Sequence, residues 1–374
     1  MRSLRPDRYG TNAALALLAA LCLLPNRLGA EPAASADAQM RASVEGALRW
    51  LATQQASEGP DAGSWPAPKP EYRPATAGLA GLAFLANGHT PAEGEYAAAV
   101  KADLRYVLSR QAPDGYFGQG DASGMYIHAI CTVFTLSCLG MTGDPELEVA
   151  LAQRCGQAVR VIVEAQQVRR EPTERGGWRY TPYTAESDLS VTSWQLLALH
   201  AARQCGYAVD DGVFRDALRY LDQAYVEIDA EHAGYVYRPG ISTKPEPSLT
   251  GTALFVRSIL EPDNDVNRDK LLRFLDGFPP AWGGEQYRQY FFFASFYMAQ
   301  GMFQTGGETW TRYRQAMGEV LLSHQAGDGH WPFPPDNAPQ SRLAGPAYPT
   351  AMAVLILSLD RQFLPMYQRR ERLF

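Results

Sequence analysis

Two kinds of apolar segment alternate along this chain. In the first, apolar residues recur at i, i+3, i+4 and i+7 with polar residues between them, as at Val44, Ala47, Leu48 and Leu51. That spacing predicts a helix with one buried stripe. In the second kind, polar residues are scarce on every side: 76–85, 127–139, 191–199, 250–260, 291–300 and 350–359. A helix that is apolar all round must be covered all round. None of these segments reaches the ~20 residues that a bilayer-spanning helix needs. The pattern therefore predicts an outer layer of one-sided helices around an inner layer of buried ones.

The alternation is a repeat. Trp50, Tyr106, Val161, Tyr220, Phe274 and Val320 occupy the same place in successive one-sided helices, separated by 56, 55, 59, 54 and 46 residues. Six copies of a unit of about fifty residues follow. In five of them the first helix ends near a glutamine: Gln55, Gln111, Gln167, Gln223 and Gln325. A glycine-rich turn bearing an aromatic comes next, as in Gly63-x-Trp65, Gly115-x-Phe117, Gly176-x-Trp178, Gly234-Tyr235, Trp282-Gly283 and Gly329-x-Trp331. An open stack of repeats needs polar caps at its ends. Here the last inner segment is as apolar as the middle ones, so the ends are expected to meet. The predicted fold is all-α, an (α/α)6 toroid forming one domain over residues 44–365, with inner helices parallel. Residues 31–43 are expected as a linker and 366–374 as a C-terminal tail.

Residues 1–30 carry a separate pattern. Arg2, Arg5 and Arg8 precede an apolar run over 13–24 and then small residues. This reads as a secretory signal peptide, cleaved after Ala30 or Ala36, and predicts a periplasmic or extracellular protein. The net charge of −6 becomes −9 once four arginines and one aspartate leave with residues 1–30, giving 30 basic against 39 acidic side chains. A nucleic-acid partner, which calls for a basic footprint, is not expected. Four cysteines remain after cleavage, too few for a disulfide scaffold. Cys155 stands at the start of the third outer helix and Cys205 at the end of the third inner one. An antiparallel hairpin sets those ends side by side, which predicts a Cys155–Cys205 disulfide in an oxidising compartment.

The elements Gln111-x3-Gly115-x-Phe117 and Gln325-x3-Gly329-x-Trp331 resemble the QW motif of squalene and hopene cyclases. The stretched versions Gln55…Gly63-x-Trp65 and Gln167…Gly176-x-Trp178 are similar. Thr76-Ala77, Thr192-Ser193-Trp194, Thr250-Gly251 and Thr350-Ala351 resemble the Thr-Ala-Trp element of the same superfamily. The chain thus resembles the prenyltransferase/squalene-oxidase repeat superfamily, near the C-terminal part of squalene-hopene cyclases. The resemblance implies the same toroid, with the glutamine and aromatic of each motif bracing helices. It also implies an inner ring able to hold an isoprenoid or other apolar ligand.

Class II cyclases of that type begin the reaction with a protonated aspartate, in Asp-x-Asp-Asp just before a Thr-Ala. The residues preceding each threonine here are Pro74-Ala75, Ser190-Val191, Ser248-Leu249 and Tyr348-Pro349. The nearest carboxylates are Glu186 and Asp188, which are the catalytic candidates; Asp188, flanked by Ser187 and Ser190, equally suits a helix cap. The Asp-x-Cys of zinc-dependent protein prenyltransferases does not occur. His128 and Cys131 give only two neighbouring ligands where zinc needs at least three, so no metal or other cofactor is expected.

With the inner helices parallel, Tyr126, His128, Trp194, Phe292 and Tyr348 become the candidates for lining a ligand cavity. Two other readings stay open. One is a non-catalytic scaffold binding a protein partner at the cell envelope. The other is a glycan-active (α/α)6 enzyme, for which two opposed carboxylates at the ring mouth are the requirement.

Overall fold

The computed structural model describes residues 35–261, 267–284, 287, 290–335, 338–364 and 368. The expected signal peptide and nearly all of the expected tail lie outside them. Helices come in hairpins: α1 (Ala36–Gln54) with α2 (Arg73–Leu85), α3 (Ala97–Ser109) with α4 (Gly124–Ser137), and α5 (Pro145–Gln166) with α6 (Leu189–Gln204). Then come α7 (Asp211–Ala224) with α8 (Pro247–Leu260), α9 (Arg268–Asp276) with α10 (Phe291–Thr305), and α11 (Gly307–Leu322) with α13 (Ala347–Leu357); the single turn α12 (Pro339–Arg342) lies between the last two. The first helix of each hairpin buries one stripe, as α7 does with Val213, Phe214, Ala217, Tyr220, Leu221 and Ala224. The second is buried nearly all round; α8 is enclosed continuously from Pro247 to Val256. Among the described residues no helix is long and apolar enough to cross a membrane.

The inner helices stand in the order α2, α4, α6, α8, α10, α13, each packed on its neighbours, and α13 returns to α2. They run parallel. Tyr126 near the start of α4 meets Ser190 at the start of α6, hydroxyl to hydroxyl at 2.5 Å. At the opposite end Asn87, just past α2, donates to Ser358, just past α13, at 3.0 Å.

The glutamines explain how successive hairpins hold register. Gln55 donates to the Gly63 carbonyl of its own turn and to Ala99 of the next outer helix, at 2.9 and 3.0 Å. Gln111 does the same to Gly115 and Arg154. In the third repeat the brace is Gln166, bonded to Gly176 and Val213, and not the expected Gln167, which is exposed. One residue along a helix rotates the side chain by about 100°, so only one of the two can face the turn. Gln325 bonds Gly329 and then Ser43 of α1, at 2.7 and 2.9 Å, while accepting from the Ser43 hydroxyl at 2.7 Å. The brace of the last repeat thus lands on the first outer helix, and the ring is closed by the same bonds that space it.

The three brace tryptophans donate back to their own outer helices: Trp65 to Leu51, Trp178 to Ile162 and Trp331 to Leu321, at 2.7–2.8 Å. The turn must lie flat on the next helix. A Cβ on Gly329, whose φ is +102°, would come 2.6 Å from the Gly46 carbonyl oxygen, so glycine is required there. The fourth repeat departs from the scheme. Its turn is a small hairpin of β1 (Tyr225–Glu227) and β2 (Ala233–Tyr235), and Gln223 reaches only the Arg219 carbonyl of its own helix.

Two further expectations are corrected. Helix α1 begins at Ala36, capped by Ser35, so residues 36–43 are helix and not linker, with Met40 and Ser43 buried. Cys155 and Cys205 are both free thiols. The hairpin does bring the two helix ends together, but the Cys205 sulfur turns to the Leu136 carbonyl, 3.5 Å away.

Candidate functional site

Aromatics of α6 and α10 pack together inside the ring. Trp194 of α6 is 2% exposed and stacks on Phe296 of α10, with ring centroids 5.8 Å apart and planes 7° from parallel. Helix α8 lies between α6 and α10 in the ring, so this stack passes across the inner side of α8. Tyr297 closes against it edge-on at 5.8 Å. Fully buried alanines, Ala80, Ala129, Ala253 and Ala351 among them, let the inner helices approach until their aromatics occupy the interior.

A second group of aromatics gathers at the end where the inner helices begin. Tyr126, Tyr180, Tyr237, Phe333 and Tyr348 are half-buried there. Tyr126 and Tyr180 are 6.3 Å apart, the Tyr180 and Tyr237 hydroxyls meet at 2.7 Å, and Phe333 stacks on Tyr348 at 6.0 Å. Three of these aromatics follow a brace aromatic by two residues: Tyr180 after Trp178, Tyr237 after Tyr235, Phe333 after Trp331. In an extended segment such residues share one side, so a chain whose first aromatic is anchored under the helices carries the second to the mouth. That spacing was the signal by which the sequence could have marked Tyr180, Tyr237 and Phe333.

Asp188 lies beneath this rim. It caps α6: one carboxylate oxygen accepts from the Val191 amide at 2.9 Å and from the Ser190 hydroxyl at 2.6 Å. The other is buried without a hydrogen-bond partner among the described residues. Burial pushes its carboxyl above the usual range, against the opposing pull of the Ser190 and Val191 bonds and of Arg179. Asp121, also at this end, behaves oppositely. Burial disfavours its charge, but bonds from Lys69 and Ser123 prevail and hold it below the usual range.

The segment carrying these groups is pinned from below. Glu174 accepts from Arg238 at 2.7 Å and from the Ser187 amide at 2.6 Å. Arg170 is buried and spends its guanidinium on the Ala165, Gln166, Val168 and Thr184 carbonyls. An arginine on the last carbonyls of α5 satisfies groups that the helix leaves free, and here it also ties that end to the loop before α6.

The sequence candidates separate. Tyr126 and Tyr348 reach the rim. Phe292 lies just below it, edge-on to Tyr348 at 6.5 Å, and Trp194 packs against Phe296 and Tyr297 inside the ring. Asp188 is under the rim, whereas Glu186 is exposed beside it. His128 does not line a cavity: its Nδ1 accepts from the Phe117 amide at 3.2 Å and its Nε2 faces the Ala158 carbonyl at 3.1 Å. Thr192, Thr250 and Thr350 perform the same service for Trp178, Tyr235 and Trp331, so His128 is the second repeat's version of the threonine brace. Burial lowers its pKa to about 4, which leaves it neutral with the proton on Nε2. Among the described residues no three His, Cys, Asp or Glu side chains gather as a metal site.

No protein-family profile matches the sequence, and no curated relative does. Solved structures with the same architecture do match. An inactive variant of the alpha-1,6-mannanase GH76A of Salegentibacter sp. HEL1_6, in complex with alpha-1,6-mannotetrose, is similar at 10% identity and a TM-score of 0.57, covering 84% of this chain and 99% of that one. The type II terpene cyclase MstE of Scytonema, in complex with the product merosterolic acid A, is similar at 15% identity and a TM-score of 0.54, covering 88% and 99%. These likenesses establish the α/α toroid, a fold that serves a glycan-cleaving enzyme in one case and a terpene cyclase in the other.

Proposed function

We propose that this protein binds a saccharide across the mouth of its inner ring. The observation that carries the reading is the group of half-buried tyrosines where the inner helices begin, with the Tyr180 and Tyr237 hydroxyls joined at 2.7 Å. An isoprenoid is held by removing its apolar surface from water, at about 25 cal/mol per Å², and needs an enclosed chamber. Here the Trp194–Phe296 stack, with Tyr297 against it, takes up part of the ring's interior. A rim of half-buried tyrosines suits a ligand with alternating apolar faces and hydroxyl groups: the rings stack on C–H surfaces while the Tyr126, Tyr180 and Tyr237 hydroxyls offer hydrogen bonds. An α-mannoside is the natural first probe, because one protein of this fold was captured with mannotetrose. Export directed by residues 1–30 would bring the mouth to polysaccharide outside the cytoplasm.

Titration calorimetry with mannotetrose and a panel of other oligosaccharides tests this, with mass spectrometry of lipid extracts from the purified protein alongside. Binding that weakens at least tenfold in Tyr180→Ala is the expected result, since loss of a stacking aromatic costs on the order of 1–3 kcal/mol. A co-purifying isoprenoid that disappears in Trp194→Ala would overturn the reading. So would a stoichiometric protein partner with no saccharide binding; Tyr183, Ile241 and Tyr290, exposed in the loops at this same end, would then mark the docking face.

A further inference from the structure

Arg179, beside the rim, forms no ion pair among the described residues, although its charge acts on the buried Asp188 carboxyl. Arg179 sits between the brace residue Trp178 and the rim residue Tyr180, its guanidinium 4.6 Å over the Tyr180 ring and 5.9 Å from that of Tyr237. One of its terminal nitrogens is buried without a hydrogen-bond partner among the described residues. No described carboxylate lies within ion-pairing distance of it. Four cations at this end of the ring are paired, Lys69 with Asp121, Arg73 and Arg110 with Asp61, and Arg238 with Glu174, whereas Arg342, over the Phe333 ring, bonds only to the Pro334 and Pro335 carbonyls. Resting on the saccharide reading, we infer that the ligand is acidic, and that Arg179 receives its carboxylate or sulfate group.

The chemistry favours that partner. A buried guanidinium N–H left unbonded is costly, and an anionic oxygen repays it with a short, charge-assisted bond. The ring contacts with Tyr180 and Tyr237 hold the guanidinium plane, and a planar fork matches a carboxylate or sulfate with two parallel bonds. Asp188 is fully buried with one oxygen unbonded among the described residues, and burial pushes its carboxyl above the usual range. The protein as a whole is negative, so attraction for an acidic ligand must come from a local group.

Calorimetry with three trisaccharides decides the matter: trigalacturonate, a sulfated neutral trisaccharide and unmodified mannotriose, each at about 20 mM and about 300 mM salt, on either side of strong screening. We expect an acidic probe to bind at least tenfold more tightly than mannotriose at low salt, with the advantage shrinking at high salt. Preference for trigalacturonate or for the sulfated probe identifies the group that is read. Arg179→Gln should abolish the advantage while keeping mannotriose binding, Arg179→Lys should keep part of it, and Lys244→Gln, removing a charge from an exposed loop at the same end, should leave it intact. Equal affinity for all three probes, or an advantage that survives in Arg179→Gln, would refute the inference while the saccharide reading stands. Failure of every saccharide to bind removes both.

Discussion

His128 ties the stability of the ring to pH, and the size of the effect follows from its bonds. The imidazole accepts a backbone N–H at Nδ1 and gives its single proton to a carbonyl at Nε2; adding a second proton breaks the first bond and buries a charge. Burial accordingly holds its pKa at about 4, against about 6.5 in the unfolded chain. Between those values the unfolded chain carries one proton more than the folded one, so stability falls as pH falls. With these two values the linkage relation gives a loss of about 2 kcal/mol between pH 7 and pH 5. Urea unfolding of the wild type and of His128→Gln at pH 7, 6 and 5 measures it. The variant should be less stable at pH 7, because glutamine cannot reproduce both bonds, yet its curve should be flatter by that amount. Asp103 and Asp188 titrate alike in both proteins and cancel in the comparison. If the two proteins lose stability in parallel on acidification, His128 is not the neutral brace described above.

Three more outcomes are expected. Gln325→Ala removes three hydrogen bonds that join the last repeat to the first and should lower unfolding stability by about 2–4 kcal/mol, at roughly 1 kcal/mol per bond; Gln223→Ala, which has only a long bond within its own helix, should change it by less than about 0.5 kcal/mol. Asp103 of α3 is fully buried with both carboxylate oxygens unbonded, and burial raises its pKa well above the ordinary value. The folded state therefore keeps a proton that the unfolded chain sheds above about pH 4, so stability falls as pH rises; Asp103→Asn should gain on the wild type between pH 4 and pH 7 in the same urea assay. A thiol reagent should modify Cys205 in the native protein and reach Cys131, Cys138 and Cys155 only after denaturation, without any reductant; a need for reductant would restore the disulfide.

The toroid was legible because its signals are local and repeated. A 3.6-residue stripe, an all-apolar helix and a glycine-aromatic turn recur six times at about fifty residues, and such a unit can bury its inner face only against copies of itself. Closure was legible too, since the last inner segment had nothing else to cover it. The rim was less so: Tyr126 and Tyr348 stood out at helix starts, but Tyr180 and Tyr237 lie in turns whose direction depends on which residue anchors under the helices.

The sequence alone therefore determined the number of hairpins, their two layers and the bracing element, each a consequence of periodicity along one chain. Tertiary structure decided what depends on a side chain meeting a partner far away in sequence. It selected Gln166 over Gln167 by helical phase, made His128 the stand-in for a threonine, and left the Cys155 and Cys205 thiols apart. It also set Trp194 against Phe296 of α10, because the direction of a side chain on a helix buried all round is set by its neighbours and not by its own segment.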